Sequence, residues 1–257
     1  MYKNILSFSR TVGLYFVVFT LLSLLVKLPS MKVLAIETAT MAGSIAVIDD
    51  DTLIGEVRIN VKIAHSERVM TSVEWLLTAS NLSINDIDAF AVSIGPGSFT
   101  GLRIGLSTIK GLSYAAKKPI VPVPTLDAFA WKFRFSSHPV CPMLDARKNE
   151  VYAALYNWEN VECRKLIPET ATAPAELLNN IKGRTIFTGE GARIYRKLII
   201  EKLGGNALFA SSSDMSPSAS SVAEIAIEKL KEGITADPAS LTPFYLRRAE
   251  AEILWKG

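Results

Sequence analysis

The sequence predicts an α/β protein of two similar lobes, each a mixed sheet with helices laid on it. Three observations predict this. Short apolar runs of strand length alternate with stretches of helical spacing along most of the chain. A hairpin-like pair of strands opens each half, 33–37 with 44–48 and 140–144 with 151–158. Strand–helix units follow each pair, so the architecture repeats although the sequence does not.

Taken in order, the elements begin at residue 33. Two apolar runs, 33–37 and 44–48, flank the small, hydroxyl-rich stretch 38–43, and 53–59 follows an acidic turn as a third strand. Residues 66–80 carry Val69, Val73, Leu76 and Leu77 on one stripe, extended by Met70, which is the spacing of an amphipathic helix. The run 87–94 (IDAFAVSI) reads as a buried strand. It enters the turn Gly95, Pro96, Gly97, Ser98, Phe99, Thr100, Gly101. Apolar residues at 102, 106, 109, 112 and 116 then predict a helix to Lys117. A strand at 120–123 and a helix at 126–132 complete the first lobe, assigned to 31–132.

The second lobe is assigned to 133–257. After its hairpin come a helix at 174–182, a strand at 185–188, a helix at 192–203 and a helix at 221–233 ended by glycine. A short helix toward Trp255 closes the chain. The first thirty residues form a separate apolar extension. Residues 12–26 are almost wholly apolar behind Lys3 and Arg10, yet shorter than a bilayer span of about 20 residues. A membrane anchor, a secretion signal and translated upstream sequence ahead of a start at Met31 are the competing readings, the last preferred.

Charge and cysteine content narrow the function. Of 28 basic residues three lie in 1–30, which has no acid, so the rest of the chain balances 25 bases against 25 acids. A neutral body argues against a protein that grips a polyanion unaided. Hydrophobic residues make up 49%, enough for a sizeable core. Cys141 and Cys163 lack the spacing of a zinc site or a disulfide framework.

The glycine turn has two readings. Its place between strand and helix suits an anion at the helix N-terminus, where Ser98 or Thr100 caps and backbone N–H groups are free. Alternatively its glycines only permit close packing. The following helix holds Gly105 and Gly111, each costing about 1 kcal/mol relative to alanine. They serve either packing on the lobe's own sheet or a helix bundle with another chain. Arg103, in the first turn, is disfavoured by the helix dipole and calls for an acidic partner.

Several stretches together resemble one family. The run Lys32 to Thr40 (KVLAIETAT) is similar to the opening strand and phosphate hairpin of the actin/Hsp70/sugar-kinase (ASKHA) superfamily, whose fold is ribonuclease H-like. Residues 95–105 (GPGSFTGLRIG) resemble the signature of its TsaB (YeaZ) branch. So do Ala64-His65-Ser66-Glu67, Asp145-Ala146-Arg147 with Glu150-Val151-Tyr152, and Tyr245-Leu246-Arg247-Arg248. The resemblance implies a cytoplasmic partner protein in making N6-threonylcarbamoyladenosine at position 37 of tRNAs reading ANN codons. Its implied partners are a TsaD-like catalytic paralogue, a TsaE-like ATPase and a second copy of itself, with tRNA met only through the complex. No membrane is implied for the folded body, and anchoring by 12–26 stays open.

Set against that family, the chemistry is sparse. The catalytic paralogue has two histidines at H-x-x-x-H spacing, whereas here His65 is followed by Val69, which leaves no metal pair. No G-x-S-x-G elbow and no Walker motif occurs. The superfamily's D-x-G-x-T reads Glu37-Thr38-Ala39-Thr40, with alanine where phosphate needs glycine. The expectation is therefore no catalytic residue, no metal and no cofactor of its own, with ATP or ADP a candidate ligand of the complex and binding in the cleft left open. Thr38, Thr40, Gly95, Gly97, Ser98, Thr100 and Gly101 are the residues nearest any nucleotide or anion. Val69, Val73, Leu76, Arg103, Gly105, Ile109, Gly111 and Leu112 are the expected partner surface. A free-standing nucleotide hydrolase or protease is the alternative.

Overall fold

The computed structural model describes residues 30–61, 65–159 and 162–247. The apolar run 12–26, Ala64, Arg248 and the helix expected toward Trp255 lie outside the described residues. Among the described residues no helix is long and apolar enough to cross a membrane.

Two five-stranded sheets share one topology. In the first, β1 (Lys32–Glu37), β2 (Ala42–Asp49) and β3 (Thr52–Asn60) form an antiparallel meander. β4 (Ala89–Gly95) and β5 (Ile120–Pro124) then join β1 in parallel, giving the order β3-β2-β1-β4-β5. In the second, β6 (Val140–Arg147), β7 (Glu150–Glu159) and β8 (Glu162–Thr172) are the meander. β9 (Thr185–Thr188) and β10 (Ala207–Phe209) are the parallel pair, giving β10-β9-β6-β7-β8. Read from the same side, the two orders coincide. The sequence reading misses β8 and β10.

Strand alternation divides the first sheet into two faces. Leu34, Ile36, Ile45, Val47, Phe90 and Val92 face α1 (His65–Ala79) and α2 (Phe99–Ala116), meeting Val69, Val73, Leu76, Leu106 and Ile109. Val33, Ala35, Ala46, Ala89 and Ala91 face the other way, against α7 (Ala219–Lys231) through Ala219, Val222, Ala223 and Ala226. Alanine on both surfaces lets that helix lie close. So the helix expected in the second lobe completes the core of the first. The assignment of everything from 133 onward to one lobe therefore misses a return crossing.

Between the sheets sits α3 (Thr125–Trp131). Its Ala128 packs with the first sheet, and its Leu126, Phe129 and Ala130 pack with Leu144, Ala154 and Tyr156 of the second. The outer face of the second sheet is covered by α4 (Pro174–Asn179), α5 (Glu190–Ile194) and α6 (Arg196–Leu203). The single helix expected over 192–203 is split at Tyr195, between α5 and α6.

This packing corrects much of the expected partner surface. Val69, Val73, Leu76 and Ile109 are buried in the lobe's own core, as is Gly105. A Cβ on Gly105 would stand 2.3 Å from Thr38 Oγ1, so that glycine serves the packing of α2 on the β1–β2 loop. Leu112 is partly buried against the same core. Arg103 and Gly111 do face outward, and a Cβ on Gly111 would meet nothing within 4 Å. Met70, expected on the buried stripe, is half exposed instead.

Candidate functional site

The glycine turn is built against the loop between β1 and β2. Ser98 N donates to Ala39 O at 2.7 Å, and Thr38 Oγ1 donates to Gly101 O at 2.8 Å. A Cβ on Gly101 would lie 2.1 Å from Thr38 O, so only glycine lets the two backbones meet there. Ser98 is the cap of α2, its Oγ accepting from Gly101 N at 3.2 Å. Of the residues expected near an anion, Thr40, Gly97, Ser98, Thr100 and Gly101 line a cleft of about 650 Å³ between the lobes, while Thr38 and Gly95 do not. Thr38 turns toward the glycine turn, and Thr40 Oγ1 donates to Ala42 O at 3.1 Å.

Beneath the loop lies Glu37, fully buried at the end of β1. Its Oε1 accepts from Ala39 N at 2.6 Å and from Ser93 Oγ at 3.0 Å, which fixes the loop to β4. Burial pushes its carboxyl up to about 7, against the pull of those two hydrogen bonds. Sequence reading noted the glutamate but not this role.

His65, the first residue of α1, is held at both nitrogens. Nε2 donates to Thr40 O at 2.8 Å, so Nδ1 is the acceptor that receives Arg68 Nη2 at 3.1 Å. Burial, with the Arg68 charge as a lesser cause, lowers its pKa, which favours this neutral ring. Arg68 also donates to Ile59 O at 2.9 Å and to Met41 O at 2.7 Å. It stitches β3, the β1–β2 loop and α1 together. No sequence signal marked Arg68 beyond its place three residues after His65. Among the described residues no cluster of three or more His, Cys, Asp or Glu is arranged to hold a metal ion.

The opposite wall is the β6–β7 hairpin, where Arg147, Lys148 and Asn149 all have positive φ. Arg147 pairs with Asp145 at 3.1 Å. Glu190, at the start of α5, also lines the cleft, and burial followed by the Asp145 charge raises its pKa. Arg247 Nη1 donates to Glu150 Oε2 at 2.6 Å. Among the described residues Arg103 meets a ring and a hydroxyl in place of the expected acid. Its guanidinium lies 3.7 Å from the centroid of the Phe99 ring, and its Nε donates to Tyr245 Oη at 3.1 Å. The cleft thus places cations beside carboxylates, carbonyls and rings, and directs the hydroxyls of Thr40 and Ser98 to backbone partners.

A family model described as TsaD, tRNA N6-adenosine threonylcarbamoyltransferase, matches residues 54–255. The chain is 32% identical over 228 residues to the tRNA threonylcarbamoyladenosine biosynthesis protein TsaB of Bacillus subtilis, covering 88% of this chain and 98% of that one. It is 32% identical over 240 residues to TsaB of Escherichia coli, covering 88% and 97%. Among solved structures, YeaZ from Pseudomonas aeruginosa superposes with a TM-score of 0.72 at 25% identity, covering 84% of this chain and all of that one.

Proposed function

Because the chain belongs to the TsaB family, we propose that it works in tRNA threonylcarbamoyladenosine biosynthesis as a non-catalytic partner of a TsaD-like subunit. It supports threonylcarbamoyl transfer to N6 of adenosine 37 in tRNAs reading ANN codons by holding the catalytic subunit in its competent state. The TsaE-like ATPase joins the pair, nucleotide is held in the assembled complex, and tRNA is met through it.

The observation that carries this reading is the outward side of α1 and α2. Trp75 is 61% exposed and Tyr114 86% exposed, with Met70 also projecting from α1. Gly111 leaves open space over the α2 backbone. Large apolar side chains turned to solvent on two helices of one sheet face support this reading. The buried stripe of the same helices holds the lobe together, so the outer side is free for a paralogue of the same fold or a second copy.

Reconstitution tests it. The chain is combined with a TsaD-like subunit, a TsaE-like ATPase, threonylcarbamoyl-AMP and tRNA, and modified adenosine is measured. Trp75→Glu with Tyr114→Glu is expected to reduce association and modification at least about tenfold while unfolding free energy moves by about 0.5 kcal/mol or less. Full modification with the chain omitted, or with the double variant, overturns the reading.

A further inference from the structure

The exposed residues of α2, from Thr100 through Arg103, Ser107 and Gly111 to Tyr114, fall on one stripe of helical spacing. Arg103 is the cation of that stripe, and the chain holds it in a fixed pose. The Phe99 ring takes one flat side of the guanidinium, and Tyr245 Oη takes the Nε proton. Tyr245 is itself fixed, stacked on Phe99 with ring centroids 4.9 Å apart, and the neighbouring Phe244 N donates to Ile94 O at 2.7 Å. A planar fork held by one face and its Nε edge turns its Nη edge to an outside acceptor. The rotamer freedom that binding normally costs an exposed arginine is already spent. Ring and hydroxyl orient the cation without neutralising it, at a helix start whose dipole is also positive. A carboxylate is the group that answers both.

We propose that Arg103 is the polar anchor of this stripe, its Nη edge taking a carboxylate of the TsaD-like subunit in a two-pronged hydrogen bond while that subunit covers Tyr114 and the open surface over Gly111. This rests on the subunit reading and adds the group the partner must bring, an aspartate or glutamate opposite the start of α2. The apolar end of the stripe supplies contact area and the cationic end supplies direction. A placement that covers Tyr114 and leaves Arg103 without an acid is penalised. Phe99 and Tyr245, which fix Arg103, also line the cleft with Thr100 and Ile104, so the anchored carboxylate stands at the rim of the cleft.

The test is the affinity of the full chain for the TsaD-like subunit, with association and dissociation rates measured separately. Arg103→Met keeps an unbranched side chain of similar reach and removes charge and fork. It should weaken binding at least about tenfold, mostly through faster dissociation. Arg103→Lys restores the charge without the fork and should regain only about threefold of that loss. Tyr245→Phe keeps the ring stack but frees Nε, and should weaken binding about threefold. Parent affinity should fall with salt more steeply than that of Arg103→Met. If Arg103→Met unfolds more readily than the parent, Arg103→Lys and the salt series decide. Parent-like affinity in Arg103→Met overturns the anchor and leaves the subunit reading standing, whereas a parent that does not bind overturns both. Full recovery in Arg103→Lys overturns the two-pronged bond. Glu67 and Glu74 are exposed on α1, so a second copy also offers acids. Self-association that Arg103→Met abolishes, with binding to the TsaD-like subunit unchanged, puts the carboxylate on that copy and overturns the anchor as stated.

Discussion

The two lobes have the same strand order and differ in almost everything laid upon it. After β3 the first lobe places the 15-residue α1, and after β4 the 18-residue α2. At the same points the second lobe has the six-residue α4, and α5 and α6 of five and eight residues. Long helices cover their sheet and still have an outer side to spare, and Trp75 and Tyr114 stand on it. The shorter ones leave Ile194 and Ile200 outward, smaller side chains than Trp75 and Tyr114. The two lobes share a sheet topology, and the interaction surface proposed above lies on the first alone.

The comparison reaches single residues. Ile36 pairs with Val92 in the first sheet, and Pro142 pairs with Thr188 in the second. One residue further on, the first lobe has the buried carboxyl of Glu37 and the second has the apolar Met143. Where α1 starts with the pinned His65, α4 starts with Pro174. What the lobes share is glycine crowding: Gly101 against Thr38 O, and Gly189 against Met143 O, where a Cβ would lie 2.2 Å away.

The largest effect is expected where the lobes agree. Gly101→Ala and Gly189→Ala each force a methyl into a backbone oxygen, and each should cost more than about 4 kcal/mol in denaturant unfolding. A cost below about 1 kcal/mol at either glycine breaks the equivalence of the turns.

The next effect is where they differ. The carboxyl of Glu37 is raised from 4.5 to about 7 in the folded chain, so between those values the native state holds a proton that the unfolded state has lost. Its contribution to stability is therefore full below about pH 4.5 and lost as pH rises through 7, about 3 kcal/mol in all. Glu37→Gln should flatten that slope and stabilise the chain at pH 8. A stability that climbs across this window in the parent alone contradicts the assignment.

The smallest concerns His65, whose lowered pKa gives the opposite sign. Its contribution is present above the ordinary histidine value of 6.5 and fades as pH falls below it. His65→Gln should cost about 1 kcal/mol at pH 8 and less at pH 5. An equal cost at both would mean that the ring's neutral form is not what pins Arg68.

Most of the architecture was legible in the sequence because β1, β2 and β4, buried on both faces, stand out as short, nearly continuous apolar runs. The turn at 95–101 was legible for the same reason, since its glycines sit between a strand and a helix. β8 was hidden because an exposed edge strand carrying Cys163, Lys165 and Pro168 has no apolar alternation to read. The partner surface was misread because a helical stripe says which side is apolar, not which body covers it. Val69 and Ile109 are covered by their own sheet, and Met70, Trp75 and Tyr114 are left on the outer side. The Tyr245–Phe99 stack joins distant parts of the chain and has no local signal at all.

The return of α7 to the first sheet sets an order of assembly. Residues 31–132 emerge before the second sheet during synthesis, yet α7 covers the alanine face of β1, β2 and β4 only once residue 231 has been made. Every strand of the second sheet is threaded between a half-built core and the helix that finishes it. Closure of the first lobe is thus a late, non-local event, and a nascent chain halted after 132 presents a bare apolar sheet to whatever meets it.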